Sequence, residues 1–139
     1  MIRRLSTSIV IGATVLATVA ATSVSAAPRA HSAVRWTATL TAPGHRPKAR
    51  KRWPVKIVVK TAGGKPVSGT VQYHFLFNGT VVGTRSCRDH GTAPCPFRGT
   101  YRDIIHFPMA AVGHPLTLQF VIKTRFGTKK INYAITVVK

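Results

Sequence analysis

The stretch that decides the fold is residues 70–82, TVQYHFLFNGTVV. Its first eight residues place large apolar side chains at alternate positions, the period of a strand with one buried face. An Asn-Gly pair at 78–79 follows, and between two β-rich runs it predicts a tight type I′ hairpin, because both central residues need positive φ. The sequence 78–80 also matches a glycosylation sequon, but the tight turn is the favoured interpretation. The predicted buried face carries Val71, Tyr73, Phe75 and Phe77.

The same period of two continues on both sides of this hairpin, with turn signals about every ten residues and no convincing helix. Further strands are predicted at residues 36–40, 55–60, 101–107, 116–123 and 130–138, and residues 86–96 are expected to form an irregular loop. About seven antiparallel strands in one all-β domain are typical of an immunoglobulin-like β-sandwich. The alternative is a small Greek-key barrel such as an oligonucleotide-binding fold.

One group of motifs carries a family resemblance. The strand VKIVV at 55–59, the connection GKPVSGTV at 64–71 and the segment FLFNG at 75–79 resemble the bacterial immunoglobulin-like, or fibronectin-III-like, domains of secreted and surface proteins. The resemblance covers most of residues 34–139. It implies a β-sandwich with a binding, adhesion or spacer role, and it supplies no catalytic residues.

The charge balance excludes much chemistry. The chain has 139 residues, with 21 Lys and Arg against 2 Asp and Glu, for a formal net charge of +19. Asp89 and Asp103 are the only side-chain carboxylates, so paired-carboxylate catalysis and acidic calcium loops are not expected. We therefore predict a protein that is not an enzyme and uses no cofactor.

The N-terminal residues predict export. Arg3 and Arg4 precede an uncharged apolar stretch at 9–22, which is shorter than the about 20 residues of a membrane span. Small residues at 24–26 predict a signal peptide over 1–26, a short linker at 27–33 and the sandwich domain at 34–139. A retained N-terminal anchor is the alternative. Cleavage removes two arginines and no acid, so a net charge of +17 remains, with no transmembrane segment.

Two cysteines, Cys87 and Cys95, flank a short segment rich in turn-forming residues. In an exported protein such a pair is most simply a disulfide. A metal site that adds Asp89 and His90 is the alternative. The six histidines are scattered, and His74 and His106 are expected on polar strand faces.

The densest positive charge lies in residues 45–52, HRPKARKR. Such a run attracts polyanions through its field, although a solvated loop is an equal alternative. The predicted partner is an anionic cell-envelope polymer, an acidic lipid or an acidic protein. Nucleic acid is less favoured, because stacking needs outward aromatics and only Trp53 and Phe126 are expected to point outward. The candidate polyanion-binding residues are Arg46, Lys48, Arg50, Lys51, Arg52 and Trp53.

Overall fold

The structure is a computed structural model that describes residues 34–87 and 91–139. The predicted signal peptide and linker lie outside the described residues, as do Asp89 and His90. The described chain contains eight β-strands and one 3-10 turn at Met109–Ala111, and no helix in it is long and apolar enough to cross a membrane. The strands are β1 (Trp36–Thr41), β2 (Trp53–Thr61), β3 (Ser68–Phe77), β4 (Thr80–Arg85), β5 (Cys95–Arg98), β6 (Thr100–Ile105), β7 (Pro115–Thr124) and β8 (Gly127–Thr136).

All neighbouring strands pair antiparallel, in the order β1-β2-β6-β5-β3-β7-β8, with β4 beside β3. The path has one weak step, because β5 and β6 share a single residue pair, Arg98 with Thr100. There the sheet folds into two layers. Gly99 occupies this corner with a φ of 69°, and a Cβ at that position would lie 2.7 Å from Pro66 Cβ. The corner therefore requires glycine both for its backbone conformation and for its close packing.

The predicted β3–β4 hairpin is confirmed. Asn78 and Gly79 have φ values of 49° and 78°, as a type I′ turn requires, and Phe77 pairs with Thr80 across it. A bulge between Phe75 and Leu76 then shifts the register. The predicted last hairpin is also present, with β7 and β8 paired from Pro115–Thr136 to Thr124–Gly127.

The core lies between the two layers. Val55, Ile57 and Val59 of β2 are buried from one side, and Leu118, Phe120 and Ile122 of β7 are fully buried from the other. Each set occupies alternate positions, as the period of two predicts. On the rim, the Lys129 Nζ of β8 donates to the Trp36 carbonyl oxygen of β1 at 2.6 Å and lies 4.8 Å from the centre of its indole ring. The all-β sandwich-like prediction is thereby confirmed.

Residues 86–96 differ in part from the expected loop. Arg85 of β4 pairs with Tyr73, and Cys95 of β5 pairs with Val71, so the chain leaves β3 opposite Gln72 and rejoins it further along. The described residues 86–87 and 91–94 belong to this connection, which we call the excursion loop, and β5 begins where an irregular segment was expected. Four residues containing a proline gave too little periodicity to predict β5 from sequence.

Candidate anion-binding surface

The basic run, residues 45–52, is a structured segment with several backbone hydrogen bonds to the rest of the domain. The Thr136 N–H donates to the His45 carbonyl at 2.8 Å, and the Val138 N–H donates to the Pro47 carbonyl at 2.9 Å. In return, the Ala49 N–H donates to the Val138 carbonyl at 2.7 Å. The run therefore lies along the C-terminal end of β8 like a short extra strand, with a parallel bridge between Lys48 and Val138.

Buried and exposed side chains alternate within the run from residue 46 to residue 50. Pro47 and Ala49 are buried against the domain, and Ala49 is only 7% exposed. The five cationic side chains of the run are all exposed: Arg46, Lys48, Arg50, Lys51 and Arg52. The structure thus brings the predicted cationic residues together on one ordered segment.

Arg50 adopts a left-handed backbone conformation, with a φ of 59°. This region costs a non-glycine residue about 1–2 kcal/mol. The Arg50 N–H donates to the Phe107 carbonyl at 2.9 Å, which ties this point of the run to the chain after β6. The hydrogen bond to Phe107 therefore stabilises Arg50 in a backbone conformation that is unfavourable for a non-glycine residue.

The expectation that Trp53 points outward is wrong. Trp53 begins β2 in phase with Val55 and Ile57, so its indole ring is 4% exposed and packs edge-on against Phe107 at 5.7 Å. Its place in the period of two decides this burial, although the charged neighbours suggested a surface position. Phe126 is half-buried, with the Arg125 guanidinium 4.6 Å from its ring centre.

His45 has a structural role at the start of the run. Its ring stacks on Tyr133 with centroids 4.3 Å apart, and its Nδ1 lies 2.6 Å from the Ala134 carbonyl oxygen. Among the other histidines, the His74 Nδ1 lies 2.9 Å from the Thr84 hydroxyl, and His106 is exposed after β6.

A cleft of about 1140 Å³ opens beside the run, between β6 and the end of β4. It exists because β6 pairs fully with β2 but meets β5 at only one residue pair, so most of its other edge has no adjacent β5 strand. Its cationic lining, which we call the cleft cations, consists of Lys56, Arg85 and Arg102. Arg52 lines the same cleft and belongs to the basic run, which makes the two surfaces continuous.

Asp103 is also in the lining of the cleft and is hydrogen-bonded through both of its oxygens. Its Oδ2 accepts from the Tyr101 hydroxyl at 2.9 Å and from the Tyr73 hydroxyl at 3.3 Å, and its Oδ1 accepts from the Ile104 N–H at 2.7 Å. The pKa of both tyrosines is raised well above the ordinary value. Burial is the larger cause, and the negative charge of Asp103 is the second. Both hydroxyls therefore stay protonated and act as donors.

The cysteine pair forms the predicted disulfide, with an S–S distance of 2.08 Å between Cys87 and Cys95. It closes the base of the excursion loop. Ser86 adds two contacts there, since its N–H and hydroxyl both approach the Gly91 carbonyl, at 3.1 and 3.0 Å. While this bond is intact neither cysteine can serve as a thiolate ligand, so the alternative metal site does not fit.

Sequence reasoning missed the cleft cations. The period of two places Lys56 and Arg102 on the outer faces of their strands, but the pairing of β2 with β6 spans more than forty residues of chain. Arg85 reaches the cleft only because β4 ends where the excursion loop begins. No local signal in the sequence specifies either arrangement.

Comparisons with known proteins add little. No protein-family model matches the chain, and no curated protein matches it. A crystal structure of an engineered protein is similar over 74% of this chain with a TM-score of 0.45 and 17% sequence identity. This chain spans 20% of that protein's length.

Proposed function

We propose that this chain is an exported, non-catalytic immunoglobulin-like β-sandwich that binds an anionic cell-envelope polymer through Arg46, Lys48, Arg50, Lys51 and Arg52. The observation that carries the proposal is the attachment of the basic run to β8 and to Phe107 by backbone hydrogen bonds. An ordered run presents its charges in a fixed arrangement, so less conformational entropy is lost on binding than in a free loop.

The backbone conformation at Arg50 supports a functional role for the run. Glycine would adopt this conformation without the steric cost that arginine incurs. A local conflict between residue and backbone is characteristic of functional sites, where side-chain chemistry outweighs stability. A cationic side chain at this costly position is best explained if Arg50 contacts a ligand.

The proposed location outside the cytoplasm is supported by the disulfide. Structural disulfides persist in oxidising compartments and are rare where thiols are kept reduced. The apolar N-terminal stretch supports the same location through the sequence alone.

The choice of a polymer without aromatic bases is supported by the burial of Trp53. Stacking on exposed aromatic rings is a major source of affinity for single-stranded nucleic acid. With Trp53 inside the core, the run offers charge without a stacking platform.

The test compares two variants of equal charge. The run variant changes Arg46, Lys48, Arg50, Lys51 and Arg52 to Gln, and the control variant changes five exposed cations that lie outside the run and the cleft lining, Lys60, Lys65, Arg98, Lys123 and Lys139. Retention on isolated anionic cell-wall polymer is measured over a NaCl gradient. We expect the run variant to elute at much lower salt than the control variant. Equal elution of the two would show that only net charge matters, and retention on an acidic protein but not on the polymer would replace the proposed partner.

A further inference from the structure

We infer that the cleft between β6 and the end of β4 holds a segment of a linear, non-aromatic polyanion, with the cleft cations Lys56, Arg85 and Arg102 as its contacts. The inference rests on the proposed function, because Arg52 joins the cleft to the basic run and one polymer chain would occupy both. It adds a second set of contacts and a preference for extended chains with repeated phosphate or carboxylate groups.

The strand register provides the first argument. Lys56 of β2 lies directly opposite Arg102 of β6 in an antiparallel pair. Side chains at such positions have Cβ atoms about 4.5–5.5 Å apart, and like charges there destabilise the pair. An anion placed between the two cations converts this repulsion into attraction. The pairing therefore favours a bound anion over an empty cleft.

The second argument concerns the carboxylate beside these cations. Asp103 is the only acidic side chain among the described residues, and three hydrogen bonds occupy its oxygens. Its donors are two tyrosine hydroxyls and a backbone N–H, and none is a cleft cation. Among the described residues, the one carboxylate therefore makes no hydrogen bond to Lys56 or Arg102.

The third argument is the size and shape of the cleft. Small-molecule sites generally measure about 300–1,000 Å³, and this open cleft measures about 1140 Å³. A single phosphate would fill a small part of it. A chain with several charged repeats is long enough to occupy the cleft and the adjoining basic run together, since both include Arg52.

The lining also indicates the character of the polymer. Pro43, Pro54 and Ile104 supply apolar surface, whereas Tyr73 in the lining and Tyr101, which donates to Asp103, are buried. Apolar contacts suit the carbon skeleton of a sugar or polyol between charged groups. Among the described lining residues no Phe, Tyr or Trp ring is exposed for stacking a base, and His106 is the one exposed aromatic ring.

The experiment uses the whole exported chain and three variants that each lose three charges. The cleft variant is Lys56→Gln/Arg85→Gln/Arg102→Gln, the run variant is Arg46→Gln/Lys48→Gln/Arg50→Gln, and the control variant is Lys60→Gln/Lys65→Gln/Lys123→Gln. Binding to long-chain polyphosphate is measured by fluorescence anisotropy over a series of NaCl concentrations. Polygalacturonate replaces polyphosphate in a second arm, to separate carboxylate from phosphate polymers. Two further arms use tripolyphosphate, to test the effect of chain length, and oligo-dT, to test a polyanion that carries aromatic bases.

The expected result is a weaker salt dependence for the cleft variant. Each lost phosphate contact lowers the slope of log K against log salt by about 0.7–0.9, so three lost contacts lower it by about 2 to 3. We expect at least tenfold weaker binding of the cleft variant at low salt than of the control variant, and weaker binding of tripolyphosphate than of the long chain. The melting temperature of the cleft variant should not fall, because the substitutions remove the like-charge pair of Lys56 and Arg102. If it does fall, binding is measured with the single variant Lys56→Gln.

The outcomes separate the two proposals. If the run variant loses affinity and the cleft variant matches the control, the cleft inference is overturned and the proposed function stands. If all three variants bind polyphosphate and polygalacturonate as the wild type does, both fail. Tighter binding of oligo-dT than of either polymer at equal charge would overturn the non-aromatic preference.

Discussion

The Tyr73 hydroxyl of β3 donates a hydrogen bond to the Asp103 carboxylate of β6 across the two layers of the sandwich, at 3.3 Å. Tyr101 donates to the same oxygen from within β6. The two tyrosines and the aspartate therefore connect the layers at the side where β5 does not extend along β6. This cluster joins the two layers beside the cleft.

Replacing Asp103 with Asn should destabilise the fold. Asparagine has one acceptor oxygen where the carboxylate has two, so its NH2 must face either the tyrosine hydroxyls or the Ile104 N–H. At least one donor then loses its acceptor, which costs about 1–3 kcal/mol. Urea unfolding followed by tryptophan fluorescence measures this loss. Arg102→Gln, on the same strand with its side chain exposed, is the matched control and should leave the free energy of unfolding unchanged or slightly higher. A stable Asp103→Asn variant would show that the cluster does not hold the layers together.

Stability should fall at alkaline pH because of the same cluster. The pKa of Tyr73 and of Tyr101 is raised in the folded state from an ordinary value of 10.0. Below pH 10 both states keep these protons, and above it the unfolded state releases protons that the folded state retains. The free energy of unfolding then decreases as pH rises, by about 1.4 kcal/mol per pH unit for each tyrosine. Urea midpoints between pH 9 and pH 12 test this, and the double variant Tyr73→Phe/Tyr101→Phe should show a shallower decrease; equal slopes would contradict the assigned cause.

Removing the disulfide should cost a moderate amount of stability. Closing so short a loop restricts the unfolded chain by about 2–3 kcal/mol in the chain-entropy model. The variant Cys87→Ser/Cys95→Ser should therefore unfold at lower urea, while β3 and β7 keep their pairing. Hydrogen exchange locates the effect: protection should fall in β5 and at the end of β4 and remain in β7. Loss of protection throughout β7 would mean that the bond supports the whole sandwich.

Arg50→Gly should separate stability from binding. Glycine removes the steric cost of the left-handed conformation but adds freedom to the unfolded chain, so we expect a stability change within about 1 kcal/mol. Retention on anionic polymer should nevertheless decrease because a fixed cation is lost. Arg50→Lys is the control for charge, since it keeps both the cation and the backbone cost. Unchanged retention of the glycine variant would remove Arg50 from the proposed site.

Several elements were accessible from the sequence because their signals are local. Asn78 and Gly79 specify their turn through backbone preferences, and the alternation in β2, in β7 and in β3 as far as Tyr73 specifies which side chains are buried. The prediction that Phe77 is buried is wrong: it is exposed at the end of β3, beyond the bulge. The disulfide followed from two cysteines close in the chain. Trp53 shows the limit of reasoning from neighbours: its charged surroundings suggested exposure, whereas its phase in β2 put it in the core.

By itself, the sequence determined an all-β chain, the positions of most strands, the disulfide and the dense charge at 45–52. These properties depend on side-chain periodicity, turn chemistry and composition, which act over a few residues. Tertiary structure alone decided that the basic run lies along β8, that Lys56 faces Arg102, and that a cleft opens beside Asp103. Those relationships depend on which distant strands pair and where β5 stops, because long-range register is set by the packing of the whole core.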